Sequence, residues 1–153
     1  MTFDLYERDF DRELQRYGVT DFRPSEFATE TGGVPEMGLW DNAMPTIVRI
    51  QRFRSYIGKP IVICTRAHGR RGYRDFRAND AVGGASGSIH MRFNAFDCTV
   101  LGLSVSETVE AMDRLFPERD RDLWGRGVYT ASGFVHWDTR GLLGEPAPAR
   151  WAA

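Results

Sequence analysis

His90 and Asp97 stand seven positions apart in SGSIHMRFNAFDCTV, and His136 opens His136-Trp137-Asp138 in SGFVHWDTRG. Imidazole nitrogen and carboxylate oxygen are common ligands of zinc, and three protein ligands plus a water make a catalytic centre, where a fourth protein ligand would close it. The chain has three histidines, and two of them fall in these segments. Alone, His90 reads as a surface or core histidine and Asp97 as a hydrogen-bonded strand carboxylate. Together they point to a cation, because an aspartate between Phe96 and Cys98 in an apolar run is costly to bury unless something pairs with it.

A zinc centre also needs groups that move protons and stabilise charge. Alternate residues of a strand share a face, so His136 and Asp138 should look into one cleft. Asp138 is the candidate base; its other possible role is to hold the ring of a ligand histidine by a hydrogen bond. Arg66, Arg70, Arg71, Arg74 and Arg77 crowd one segment, and arginine binds carboxylates bidentately or stabilises an oxyanion. Arg74 is the candidate for that contact, with Arg66 its rival directly after a strand. His68 in the same segment reads as incidental. Gly83 to Ser88 form a flexible stretch that would deliver His90, with Ser88 a nearby hydrogen-bond partner.

These groups must be held by a scaffold. Phe3, Tyr6, Phe10, Leu14 and Tyr17 recur at helical steps before Gly18, so 3–17 is expected to be an amphipathic helix packed on the domain. Residues 28–41 read as loop, and 42–57 as a helix with Pro45 near its first turn and Gly58 past its end. The β-branched run 60–65 reads as a buried strand, 66–87 as one long functional loop, and 94–101 as a second strand. A helix capped by Ser104 or Ser106 and ended by Pro117 follows, then a hairpin of 127–129 with 134–139. In the proline- and alanine-rich tail only Trp151 is expected to pack. Strands mixed with helices, without regular βαβ alternation, predict an α+β fold with a small, largely antiparallel sheet.

Composition narrows the partners. The 153 residues suit one domain with a sizeable core. A net charge of -1 argues against a general pull toward nucleic acid or anionic membrane, and the arginine segment lacks aromatic residues spaced for base stacking. The first residues lack the pattern of a secretory signal and no stretch is long enough to span a bilayer, so the expectation is synthesis in the cytoplasm. Cys64 and Cys98 lack CxxC spacing and read as buried free thiols.

The run YRDFRANDAVGGASGSIHMRFNAFDC, then GVYTASGFVHWDTRG and a closing ARW, resembles the zinc D-Ala-D-Ala carboxypeptidase family, including its phage endolysin peptidases. Tyr73, Arg74, Asn79, Gly83, Gly84, Ser88, His90, Ala95, Asp97, His136 and Asp138 match its pattern, and FRPSEF at 22–27 resembles the segment opening such domains. The resemblance implies a D-Ala-D-Ala carboxypeptidase/hedgehog-like fold at 21–153, with the helix of 1–20 as an extension. It implies Zn2+ on His90, Asp97 and His136, Asp138 as base, and substrate contacts from Arg74, Arg66 and Ser88. Phe93 stands where the family usually has glycine, implying a bulkier wall beside the metal, and Gly133 stands where some relatives have an acidic base. The implied activity is hydrolysis of peptidoglycan stem or crosslink peptides. With no export signal, a phage enzyme released through a membrane hole, or carried in a virion beside tail proteins, is expected. The competing expectation is a metal-stabilised wall-binding or virion module without turnover, for which Phe93 and the added helix speak.

Overall fold

The computed structural model describes all of residues 1–153. Five helices and a five-stranded open sheet form an α+β fold, as expected. The helices are α1 (Phe3–Arg16), α2 (Trp40–Ile57), α3 (Phe76–Ala81), α4 (Val105–Leu115) and α5 (Glu118–Arg121). The strands are β1 (Ile61–Val62), β2 (Ala95–Val100), β3 (Gly125–Tyr129), β4 (Phe134–Asp138) and β5 (Ala149–Ala152), in the spatial order β1-β2-β4-β3-β5. All pairings are antiparallel except β3 with β5.

One face of the sheet carries the core. Phe96 and Cys98 of β2 and Val135 and Trp137 of β4 alternate with the site residues and turn toward α2 and α4. Trp137 meets Phe53, Phe116 and Trp124 with ring centroids 5.9, 5.5 and 4.9 Å away. The α4 helix forms because Ser104 caps it, accepting from Glu107 N at 3.1 Å while the Glu107 carboxylate accepts from Ser104 N at 2.7 Å. Its apolar positions then bury Ala111 and Met112. The N-terminal helix belongs to the same core: Tyr6, Phe10 and Leu14 are fully buried, and the Tyr6 hydroxyl donates to Pro24 O at 2.9 Å.

Four expectations need correction. The α2 helix starts two residues early, at Trp40, because the indole donates to Pro35 O and ties the entry down; Pro45 therefore lies in its second turn. The strand expected over 60–65 is only Ile61–Val62, since after Val62 the backbone leaves β2 and Cys64 N donates instead to Glu26 O. The segment 66–87 is not all loop: Asp75 caps Ala78 N at 2.8 Å and starts α3. The tail forms β5, whose pairing with β3 gives its backbone partners that a packed tryptophan alone would not.

Phe93 also differs from expectation. It adopts a left-handed conformation (φ 54°), the reason a glycine suits this position, and it is fully buried away from the cleft. Its ring packs against Phe10, Tyr73 and Phe96 at 5.4, 5.6 and 5.8 Å. The extra bulk therefore goes into the core beneath α1 and adds nothing to the wall of the metal site. The backbone strain, of order 1–3 kcal/mol, is opposed by burial of a whole phenyl ring.

Candidate metal centre

Sheet register places the site. Asp97 on β2 pairs with His136 on β4, which pairs with Gly127 on β3, which pairs with Trp151 on β5, so these four positions form one row across the face opposite the aromatic core. Gly127 is required there: a Cβ would lie 2.3 Å from Trp151 Nε1. Without it the indole drops against the sheet beside His136, ring centroids 5.0 Å apart, and donates to the Tyr129 hydroxyl at 2.9 Å.

His90 arrives from outside the sheet, on a 3-10 turn at Ile89–Arg92. Asn79 at the end of α3 positions the approach. Its side-chain amide donates to Ala85 O and its backbone carbonyl accepts from Gly84 N, both at 2.9 Å, and a side chain at Gly84 would collide with the amide. The ring is then fixed by Nδ1, which donates to Gly72 O at 2.8 Å and leaves Nε2 bare. Arg71 O accepts from Asp97 N at 2.8 Å, so the segment bearing Gly72 and Arg74 is itself pinned to β2.

Three ligand atoms converge. His90 Nε2 and His136 Nδ1 are 3.1 Å apart, His136 Nδ1 and Asp97 Oδ1 2.9 Å, and His90 Nε2 and Asp97 Oδ1 3.3 Å. Tetrahedral zinc with bonds of about 2.0–2.1 Å needs ligand atoms about 3.3 Å apart, so the set fits with small adjustments. All three residues are buried, yet each lines a cavity of about 620 Å³ that supplies the open side.

The surroundings prepare the ligands. Burial alone would raise the Asp97 carboxyl, but His90 and the hydrogen bonds from both imidazoles hold it well below the carboxylate range. Arg74 Nη2 donates to its second oxygen at 3.1 Å, leaving Oδ1 for the ligand triangle. Burial lowers His90; it opposes protonation of His136 too, but there hydrogen bonds to Asp138 and Asp97 win and the pKa rises. Of the two imidazoles, His136 therefore holds a proton to higher pH than His90 does.

Asp138 does not face the cavity. It is fully buried, accepts from His136 Nε2 at 2.8 Å and from Gly125 N and Arg140 N at 2.9 Å, and is clamped by the Arg140 guanidinium at 2.7–3.2 Å. Burial would raise its carboxyl, but His136 and Arg140 hold it below the usual range. Every acceptor site points to the protein, which suits the ring-holding role of the two considered.

Of the other expected contacts, Arg74 and Ser88 line the metal cavity, while Arg66 lines a separate cleft beside it and Arg77 is exposed on α3. His68 joins Arg66 in that second cleft. Tyr129, Arg140 and Glu145 of the cavity wall were not singled out from sequence, and Trp151, expected only to pack, is part of that wall. The i,i+2 spacing of Gly127 and Tyr129 on a strand was the available signal for Tyr129; nothing local marks Glu145.

The α+β sheet brings two imidazoles and a carboxylate to one buried, open-sided point, a group that could hold a metal ion. The family model described as Peptidase M15 matches residues 20–138, and the chain belongs to that family, whose peptidases are metal-dependent and typically use zinc. The match takes in all three candidate ligands and Asp138, but neither α1 nor β5 with Trp151. No match was found among curated proteins or among solved structures.

Proposed function

We propose that the protein is a zinc-dependent peptidase that hydrolyses peptidoglycan stem or crosslink peptides, of carboxypeptidase or endopeptidase type. The observation that carries this reading is the triangle of His90 Nε2, Asp97 Oδ1 and His136 Nδ1, edges 2.9–3.3 Å, opening on one side to a cavity. Bound there, zinc would lower the pKa of a bound water toward about 7 and polarise the scissile carbonyl.

The chain's own residues do the rest. Gly72 O and Asp138 each take one ring N–H, so both imidazoles present a lone pair at the same point. Arg74 holds Asp97 through Nη2 and its own Nε donates to Arg70 O, while Nη1 donates to no protein group and is free for a substrate carboxylate or oxyanion. Asp97 and Glu145 are the acids lining the cavity. With Asp97 a ligand, Glu145, ion-paired to Arg92 at the rim, is the carboxylate available to exchange protons with the cleft. Asp138 acts through His136 as a positioning residue.

The non-catalytic alternative drew on Phe93 and α1, and both lie in the core away from the cavity. We also propose the cell wall as the place of action, reached by a phage-encoded enzyme after release or aboard a virion. The test is mass spectrometry of defined stem and crosslinked peptides incubated with zinc-loaded protein. New termini are expected, absent after chelation; intact peptides at full zinc occupancy would defeat the reading.

A further inference from the structure

The metal cavity has a neighbour. A second cleft of about 460 Å³ shares Arg74, Val82, Asp97 and Phe134 with it, so the Asp97 corner of the ligand triangle lies where the two meet. The two arms differ in chemistry. On the His90 side the segment Gly83 to Ser88 forms a wall of small, uncharged residues, and the charges that line the rest of the cavity, Arg140 and Glu145, are paired with Asp138 and Arg92. On the other side it carries Arg66, His68, Arg70 and Arg71, and its one acid, Asp97, is committed to the ligand cluster and Arg74.

Arg66, Arg70 and Arg71 form no ion pair with any acid of the chain. Unpaired guanidinium groups are ordinary on an open surface, but these three share one concavity. There the field of like charges adds and low-dielectric walls focus it. The segment is also held in shape. Gly69 O accepts from Thr29 Oγ1 at 2.5 Å, His68 N donates to Thr65 O, and Arg70 Nε donates to Thr31 O at 3.4 Å. Arg71 is fixed by Thr99 Oγ1 at 3.1 Å and lies over the Phe134 ring, 4.8 Å from its centroid. Arginines placed this way offer paired N–H donors that match carboxylates.

We propose that Arg66, Arg70 and Arg71 form a substrate subsite that takes the carboxylates of a peptide extending past the scissile bond. The substrate class is then an acidic peptide that runs from the metal cavity into the arginine-lined cleft. This inference rests on the peptidase reading above.

The test uses twin stem peptides of one sequence, one with free carboxylates and one with carboxamides, each fluorescently labelled. Binding to the full-length, metal-free protein is followed by anisotropy. The carboxylate twin should bind wild type about tenfold or more tighter, the worth of one charge-assisted contact, with the advantage shrinking as salt is raised. R66A/R70A, with unchanged zinc uptake and circular dichroism, should lose most of that advantage and keep only the part that Arg71 and Arg74 supply. Equal binding of the twins by wild type, or an undiminished preference in R66A/R70A, overturns the subsite. The peptidase reading fails separately: it is lost if zinc-loaded protein cleaves neither twin, whereas cleavage of both with equal affinity removes only the subsite.

Discussion

The two faces of the central sheet use burial for opposite ends. On one, Phe96, Cys98, Val135 and Trp137 bury apolar area against α2 and α4; on the other, one residue out of step, Asp97, His136 and Asp138 bury charge. The first face gains stability from the removal of water. The second spends it, since a desolvated carboxylate is unfavourable until hydrogen bonds, Arg74 and Arg140 compensate. The same two strands thus carry both roles because a strand alternates its side chains with a period of two. The difference teaches where a mutation should be read: on the core face in unfolding free energy, on the other in metal affinity and turnover.

Substitutions on each face can break that division. His90→Ala removes a ligand and is expected to abolish stem-peptide cleavage, with zinc per chain falling from one toward zero by metal analysis, while the metal-free form loses about 1–3 kcal/mol in urea unfolding as Gly72 O and Asp97 lose a buried partner. Trp137→Ala should instead cost about 3–5 kcal/mol in urea unfolding, as large-to-small core changes do, with zinc stoichiometry retained in the folded fraction. If Trp137→Ala lost zinc before it lost structure, the two faces would not be separable.

Asp138→Asn sharpens the division within the site. Acting through His136, Asp138 should cost about 10–100-fold in zinc affinity or activity when its charge is removed, as outer partners of metal ligands do. A base would leave zinc affinity intact and lose only turnover. Competition against a chelating dye separates the two. Acid should act at the same place: His136 holds its proton to higher pH than an ordinary imidazole, so proton competition should weaken zinc binding from above pH 6.5 downward. Unchanged affinity down to that pH would contradict the assigned proton.

On the core face the smallest effect is alkaline. Burial pushes the Cys64 thiol up to about 12 and raises Cys98 as well. Unfolded thiols ionise near 8.5. The stability this contributes is therefore complete below that pH and is lost as pH rises toward 12. Urea midpoints should fall across this window, and both thiols should resist alkylation in the native state. Rapid labelling of either at pH 8 without unfolding would show that the core face admits water.

Much of the site was legible because its chemistry is local in type: three histidines, two of them near an aspartate on a strand, leave few ways to build a ligand set. The period of two also put His136 and Asp138 on one face. What sequence left open was direction. Asp138 shares the face but turns its oxygens to Arg140, and that pair is recognisable only once β4 bends into the 3-10 turn at Arg140–Leu143. The β5 strand was hidden for a related reason: a proline-rich tail has little propensity of its own, and its order comes from pairing with β3 and from the gap Gly127 leaves for Trp151. Phe93 misled because its identity suggested bulk at the metal, whereas its left-handed backbone turns the ring to the core.

The central claim is met most directly by a crystal of the zinc-soaked protein measured across the zinc absorption edge. One anomalous peak per chain is expected, bonded to His90 Nε2, Asp97 Oδ1 and His136 Nδ1, with its remaining position facing the cavity. A peak held by other residues, a fourth protein ligand closing the site, or no peak at saturating zinc would contradict the account.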